Sequence, residues 1–289
     1  MKNVNVDSQR NVCALLMIIL FVGFGSSCSD SLNEDDVLID VSDADASEDD
    51  TDDPGNGDEG DSTDENNSDN NDSDTQDDGC DDPNTFVFNE QDGLVNVEFE
   101  TAAFSGDWIP ASSESGFSGA GYMVWTGEQS LGQPGNGLTT YLINITTSGT
   151  YRFLWRSAVT IGDNGTEHND TWLRFNDADD FFGQKGDNSF VYPNGSGKTP
   201  NPEGASKDGW FKIYRSGNDL GFKWQARTSD NDAHDIYVTF DAPGTYTMEI
   251  SARSSGHAID RFVLFHSDMM TAGEATDDAN ALSAISCDD

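Results

Sequence analysis

Apolar and polar residues alternate along several short segments in the second half of the chain. The segments TTYLINITT, TYRFLWR, DIYVTFD and TYTMEIS each place every second residue, mostly aromatic or branched, on one face. A period of two indicates a strand with one buried face. Since no segment of helical length carries an amphipathic apolar stripe, the pattern predicts an all-β domain built as a sandwich or barrel.

Two stretches of the chain repeat one plan. YLINITTSGTYRFLWR and YVTFDAPGTYTMEISAR each contain a strand, then Gly-Thr-Tyr, then a second strand and Arg, with Gly149 and Gly244 at the tight turns. Each unit is expected to form a β-hairpin, and equivalent hairpins would place both turns at one end of the domain. The other end would then gather the loops 127–137, 160–169, 227–234 and 254–258.

Residues 262–265 form an uninterrupted apolar run, which predicts a strand buried on both faces.

Negative charge is concentrated ahead of these strands. Residues 29–83 contain 24 Asp and Glu and no Lys or Arg, whereas residues 84–289 contain 12 basic and 29 acidic side chains. A segment so rich in Asp, Ser, Asn and Gly has little to bury and stays extended by self-repulsion. We expect a disordered acidic linker at 29–83 and a folded domain at 84–289. Calcium binding by the Asp-rich segment is the alternative, but the segment lacks a regular ligand-loop spacing.

The first 28 residues are typical of an export signal. Lys2 and Arg10 supply positive charge, and the apolar stretch VCALLMIILFVGFG is short for a membrane span. GSSC then resembles a bacterial lipobox ending at Cys28, although Gly25 stands where Leu is usual, and the acidic residues that follow resemble the surface-export signal of Bacteroidota lipoproteins. We expect an exported lipoprotein, lipidated at Cys28 and anchored in the outer membrane facing the exterior. The alternative is a plain secretory signal.

Two further cysteines border the folded part. Cys13 lies in the signal, which leaves Cys80 and Cys287 at the two edges of the domain. Export permits disulfides, and the two ends of a domain often lie close together. We predict a Cys80–Cys287 disulfide, which in the chain-entropy treatment stabilises the fold by about 4–5 kcal/mol.

The loops expected to share one end carry the polar chemistry. Planar rings beside amide, carboxylate, guanidinium and imidazole groups suit a sugar, whose apolar face stacks on the ring while its hydroxyls are hydrogen-bonded. Trp125 should emerge at this end, and so should Trp210. The alternatives are that each Trp is a core residue and that the acidic loops are merely solvated. The predicted carbohydrate-binding residues are Trp125, His168, Asn169, Asp170, Trp210, Arg253 and His257.

Three acidic residues form a second candidate site. Glu98 and Glu100 are two apart in VEFETA and should share one face of the first strand, where their charges would repel. A cation would relieve that repulsion, and Asp260 at the mouth of the last strand could be the third oxygen ligand. Calcium accepts such ligands and is abundant outside cells. The alternative is that Arg261 or another base pairs with these acids.

In this order, VEFETA, GYMVW, the two repeated units and HAIDRFVLF resemble carbohydrate-binding modules of families 6 and 35, and related malectin-like and galactose-binding-like domains. The resemblance covers about residues 94–266. It implies a β-sandwich jelly roll with sugar-binding loops and a structural calcium held by acids at the positions of Glu98, Glu100 and Asp260. The stretch 178–209 is longer than such modules need, which suggests a lid or an extended binding loop.

These observations favour one function over two others. We expect non-catalytic binding of a polysaccharide or oligosaccharide by a surface-anchored lipoprotein. Ca²⁺ is expected as a structural ion, and other surface proteins of glycan utilisation are candidate partners. One alternative is a lyase or glycoside hydrolase on a jelly roll. Hydrolysis needs two carboxyl groups at a set distance on either side of the glycosidic bond, and a high content of Asp and Glu does not show such a pair. The other is a protein-binding adhesion module. Nucleic acid is excluded as a partner, because it requires basic residues to neutralise phosphates.

Overall fold

A computed structural model describes residues 80–202 and 204–287, so the export signal, Cys28 and most of the acidic linker lie outside the described residues. Regular structure in the described part is almost all strand. The strands are β1 (Phe86–Asn89), β2 (Leu94–Glu98), β3 (Trp108–Ala111), β4 (Tyr122–Trp125), β5 (Thr139–Ile145), β6 (Gly149–Val159), β7 (Asp170–Phe175), β8 (Asp180–Gln184), β9 (Phe190–Val191), β10 (Ser206–Lys207), β11 (Trp210–Tyr214), β12 (Lys223–Trp224), β13 (Arg227–Thr228), β14 (His234–Phe240), β15 (Gly244–Ser251), β16 (His257–His266) and β17 (Ile285–Cys287). One short helix, α1 (Ala272–Ala275), and 3-10 turns at Pro83–Thr85 and Phe99–Thr101 complete the elements.

The strands form two packed layers. In the β6 layer the order is β9, β8, β14, β6 and β16, and β16 also pairs with β2 and β4. In the β5 layer the order is β17, β1, β5, β15, β7 and β11. All these pairings are antiparallel except β1 with β5, and short β13 joins the layers by pairing with β11 and β14. The all-β sandwich expected from the sequence is confirmed.

The two repeated units do not form hairpins, and that prediction is wrong. Strand β5 belongs to one layer and β6 to the other, and β14 and β15 divide in the same way. Each unit therefore crosses the sandwich, because both of its amphipathic strands bury their apolar faces against the opposite layer. The units pair with each other instead, Thr150 with Thr239 and Gly244 with Ile145. These pairings place Gly149 and Gly244 at one end, as predicted; we call it the turn end.

The core fills the space between the inner faces. In β5 and β6 the alternating Tyr141, Ile143, Tyr151 and Phe153 are all fully buried, as predicted. Strand β16 is buried along its whole length, which confirms the prediction for residues 262–265. Its outer face is covered because the segment after it folds back over the sheet, where Ala275 joins the core cluster.

The chain ends of the described domain meet. Strand β17 pairs with β1, opposite Phe86, and Cys287 is joined to Cys80 by a disulfide with the two Cα atoms 5.6 Å apart. This is the pairing expected from the sequence. Among the described residues, none of the helical segments has the length and hydropathy needed to cross a bilayer.

Candidate functional site

The four predicted loops meet at the end of the sandwich opposite the turns, which we call the loop end. Backbone hydrogen bonds tie them together: Thr160 N–H donates to the Gly256 carbonyl at 2.9 Å, and Ser130 N–H donates to the Arg253 carbonyl at 2.7 Å. Ser254 N–H donates to the carbonyl of Asp170, the first residue of β7. The two units pair with each other in antiparallel fashion, so their turns lie at one end and the loops at their far ends meet at the other. The grouping of these loops was therefore predicted correctly although the units are not hairpins.

A cleft of about 550 Å³ opens at the loop end, roughly twice the 260 Å³ of a second cavity beside Arg174. Its floor is the outer face of β7 and β11, where Tyr214 pairs with Asp170. Its walls come from the loops after β6, β11 and β13. The lining residues are Thr166, Asn169, Asp170, Lys212, Tyr214, Arg215, Ser216, Gly217, Arg227, Asp230, Asn231 and Ala233.

The aromatic residue of the cleft is Tyr214. Only 8% of it is exposed, and the Lys212 ammonium lies 5.4 Å from the centre of its ring. Burial raises the pKa of the Tyr214 hydroxyl, and the negative charge of Asp230 adds to that effect. The hydroxyl therefore stays protonated at neutral pH and can donate or accept a hydrogen bond.

Three predicted carbohydrate-binding residues lie in or beside the cleft. Asn169 and Asp170 line it directly. Asn169 donates through its side-chain amide to the Arg215 carbonyl at 2.6 Å, which fixes the loop before β7 to the end of β11. Arg253 forms an ion pair with Asp170, whose other oxygen accepts from the Ser254 hydroxyl. His168 precedes them in a left-handed backbone conformation, with φ of 54°.

Both predicted tryptophan platforms are buried, and neither presents its ring to the cleft. Trp125 is 1% exposed, packs edge-on against Trp108 and donates to the Glu128 carbonyl, so it supports the base of the loop 127–137. Trp210 opens β11 opposite Arg174, whose guanidinium lies 4.5 Å above its ring. The expectation that Trp210 emerges at the loop end is wrong, because β11 runs toward that end and reaches it at Tyr214.

The predicted His257 lies inside the sandwich. It is fully buried, its Nδ1 pairs with the Thr171 hydroxyl at 2.8 Å, and its ring lies 5.5 Å from that of Trp155. Burial, together with the charge of Arg215, lowers the pKa of His257 to about 3. A neutral, enclosed imidazole cannot contact a ligand in the cleft, so its place is in the polar end of the core.

Sequence reasoning placed Asp230 in a predicted loop of this end, but it did not select Lys212 or Tyr214 as site residues. The signal was present in GWFKIYR, where Trp210, Lys212 and Tyr214 alternate on one face of a strand. Only the direction of β11 decides which of these three residues reaches the loop end. That direction is set by its antiparallel pairing with β7.

The three predicted metal ligands lie near one another in the β6 layer. Strand β2 ends at Glu98, and the chain turns into the 3-10 segment Phe99–Thr101, so Glu98 and Glu100 do not share a strand face as expected. Ser118 lies between Glu98 and Asp260, because its hydroxyl donates to Glu98 at 3.0 Å and to Asp260 at 3.2 Å. Arg261 holds Glu98, which is the pairing considered as the alternative to a metal.

Cations compensate this cluster only in part, since Arg261 pairs with Glu98 and Arg156 approaches Asp260 at 3.5 Å. Burial, together with the charges of Glu98 and Asp260, raises the pKa of Glu100 to about 7. Burial also raises the pKa of Asp260 to about 6 against the opposing effect of Arg156. Oε2 of Glu100 is buried and, within the described residues, has no hydrogen-bond partner. In this arrangement no three His, Cys, Asp or Glu side chains of the described part converge as a metal-binding group.

The chain matches no family model and no curated protein. Solved structures to which it is similar include the family 35 carbohydrate-binding module (CBM35) of Paenibacillus barcinonensis, at 19% identity and a TM-score of 0.32, over 60% of this chain and 99% of that one. They also include the C-terminal CBM6 of LamC, a marine laminarinase from Zobellia galactanivorans, at 14% identity and a TM-score of 0.28, over 60% and 98%.

A third similar structure is the GH26-CBM35 β-(1,4)-mannanase of Podospora anserina, at 16% identity and a TM-score of 0.36. The match covers 63% of this chain but only 29% of the mannanase. The likeness to all three structures is one of fold.

Proposed function

We propose that the described domain is a non-catalytic module that binds a polysaccharide or oligosaccharide in the loop-end cleft. The observation that carries the proposal is the cleft itself, in which one aromatic ring, Tyr214, is surrounded by amide, hydroxyl and carboxylate groups from three loops. Sugars present an apolar face and a rim of hydroxyls, and this combination of groups complements both.

Each part of a sugar has a counterpart in the cleft. Tyr214 lies on the floor, while Thr166, Asn169 and Ser216 offer neutral donors and acceptors on the walls. The backbone around them is held by hydrogen bonds, since Asn169 bonds to Arg215 and Ser216 N–H donates to Gln225 at 2.6 Å. A site held in place in this way loses little entropy when a ligand binds.

The charge pairing supports binding rather than hydrolysis. Hydrolysis of a glycosidic bond uses one carboxylic acid and one carboxylate on either side of the bond. Asp170 and Asp230 line the cleft, but Arg253 neutralises the first and Lys212 the second. With both carboxylates engaged by cations, the cleft offers hydroxyl acceptors more readily than an acid and a base.

A structural calcium ion is part of the proposal. The residues fit a calcium ion in one respect: among the described residues the buried Oε2 of Glu100 has no hydrogen-bond partner, and the charges of Glu98 and Asp260 repel it. Glu98, Glu100 and Asp260 would hold the ion, and Glu98 would exchange its bond to Arg261 for the metal. Bound calcium would neutralise these acids and fix the end of β2 against β16.

We further propose that the domain is displayed outside the cell. The features that support this lie in the sequence: an apolar export signal, Cys28 as the lipid-bearing residue and an acidic linker at 29–83 that would hold the domain away from the outer membrane. Partners would be extracellular glycans and other surface proteins of glycan utilisation.

A glycan screen with and without chelator tests the proposed function. The domain should be retarded in native gels that contain its polysaccharide, and Tyr214→Ala should abolish the retardation in gels run at a temperature at which circular dichroism shows that the variant is folded. Tyr246→Ala, which removes a similar ring at the turn end, is the matched control and should still bind. If no plant, algal or microbial polysaccharide retards the calcium-loaded protein, the proposal fails.

A further inference from the structure

Every basic side chain that lines or borders the cleft is already paired with a carboxylate of the domain. Lys212 is paired with Asp230, and Arg253 with Asp170. Arg215 is paired with Asp219 at 2.9 Å, and Arg227 approaches Asp235 at 3.5 Å. Asp219 also pairs with Lys223, and Asp235 with Arg152, so these two carboxylates are each shared between two cations, whereas Asp230 and Asp170 each pair with one cation.

The Arg253–Asp170 pair is not easily opened by a ligand. Its side chains are 11% and 7% exposed, whereas in the Lys212–Asp230 pair the lysine is 6% exposed and the aspartate 55%. An anionic ligand that took Arg253 from Asp170 would leave a buried carboxylate without its partner. Removing one partner from a buried pair is strongly unfavourable, because the remaining charge is not compensated.

The field of the whole domain acts in the same direction. Residues 84–289 carry 29 acidic and 12 basic side chains, and the linker at 29–83 adds 24 acids and no base. A surface with this excess of negative charge repels a polyanion at low ionic strength and slows its approach.

We propose that the glycan bound by the loop-end cleft is uncharged, and that uronic-acid and sulfated polysaccharides are excluded. This inference rests on the proposed function and adds the chemical class of the ligand. Paired carboxylates still have lone pairs, so Asp170 and Asp230 can accept hydrogen bonds from neutral sugar hydroxyls while they neutralise their cations. A sugar carboxylate offers no proton to these acceptors and meets like charge.

Matched polysaccharides that differ in charge test the inference. We would compare polygalacturonate with its methyl ester, and carboxymethyl cellulose with hydroxyethyl cellulose, beside neutral mannan, xylan and β-glucan and anionic alginate, in affinity gels at low and high salt. Retardation by neutral polymers alone, lost in Tyr214→Ala, supports the inference. Retardation by an anionic polymer that equals or exceeds that of its neutral match, and is lost in Tyr214→Ala, overturns the inference but leaves the proposed function standing. Retardation by none overturns the proposed function itself and the inference with it.

One substitution should change the selectivity. Asp230→Asn frees the Lys212 ammonium and removes a carboxylate from the cleft, so binding of polygalacturonate should rise by about tenfold over wild type. Asp268→Asn makes the same change in net charge on an exposed residue at the turn end, and it should leave polygalacturonate binding unchanged. Equal gains in both variants would mean that overall charge, and not the paired cleft, sets the selectivity, which would also overturn the inference.

Discussion

Arg261 donates two hydrogen bonds to one oxygen of Glu98, from Nε at 3.1 Å and from Nη2 at 2.5 Å. The two residues face each other on the adjacent strands β16 and β2. Arg261 thereby neutralises one of three neighbouring acids, while Glu100 keeps a buried oxygen without a partner in the described residues. A calcium ion bound by these acids would compete with the Arg261 guanidinium for Glu98.

The first prediction concerns pH in chelator. Folding raises the pKa of Glu100 from its usual 4.5 to about 7, so the folded state disfavours the charged form. The stability that this group contributes is present at low pH and is lost as pH rises through that window. After allowance for solvent screening of a half-buried group, the loss should be about 1–2 kcal/mol. Urea unfolding measured across this range should show it.

Calcium and a neutral variant provide the controls for this experiment. Calcium should remove the pH-dependent loss, because a bound cation favours the ionised acid. Glu100→Gln should show neither the loss nor the calcium effect. If that variant loses stability with rising pH as much as the wild type, Glu100 is not the group responsible.

The second prediction concerns Glu90, a buried acid that fastens the turn after β5. Its carboxylate accepts from the backbone N–H groups of Gly93, Thr146 and Thr147 and from both threonine hydroxyls. Burial opposes ionisation, but the hydrogen bonds outweigh it and lower the pKa of Glu90. Its contribution is therefore present above the usual pKa of a Glu and is lost as pH falls.

Glu90→Gln should thus destabilise the domain by about 2–3 kcal/mol at neutral pH, because a charged acceptor is lost and an amide N–H is placed among donors. Thermal unfolding is the measurement. Glu114→Gln, at an exposed position, is the control and should change the free energy of unfolding by less than about 0.5 kcal/mol. Equal effects of the two substitutions would contradict the role of Glu90.

The third prediction compares the glycines of the two repeated units. Gly149 has φ of 149°, and a Cβ there would lie 2.1 Å from Nε2 of the buried His266. Gly244 has no such constraint, since its nearest neighbour, an atom of Tyr246, would lie 3.7 Å away. Gly149→Ala should cost about 2 kcal/mol or more, and Gly244→Ala less than about 1 kcal/mol. Similar losses in chemical denaturation would show that the close approach to His266 is not limiting.

The fourth prediction concerns the disulfide between Cys80 and Cys287. It closes a loop with a sequence separation of 207 residues and joins the start of the domain to β17. Replacing both cysteines by Ser should lower the free energy of unfolding by about 5 kcal/mol in the chain-entropy treatment. A reductant should lower the melting temperature of the wild type and leave the double variant unaffected. An unchanged wild type would indicate that the bridge adds no stability.

Several features could be inferred without the structure because they depend on local chemistry. The alternation in β5, β6, β14 and β15 follows from the pleat of a strand, in which every second side chain meets the core. The grouping of the loop-end residues followed from two equivalent units with glycines at their turns. The pairing of the two border cysteines followed from their positions at the ends of one domain.

Other features depended on which strands become neighbours. A unit of two amphipathic strands can pair with itself as a hairpin or span two layers, and only packing against the opposite layer selects the second arrangement. The direction of β11 placed Tyr214, and not Trp210, in the cleft. The burial of Trp125 and His257 likewise depends on Trp108 and Trp155, which lie far from them in sequence or on another strand.

The sequence by itself determined that this is a β-sandwich with a polar loop end, because the period of its apolar residues and the placing of its glycines act over a few residues. The tertiary structure alone decided which side chains form the cleft and how their charges are paired. Lys212 and Asp230, like Arg253 and Asp170, are partners only because the strands that carry them are brought together by a shared core.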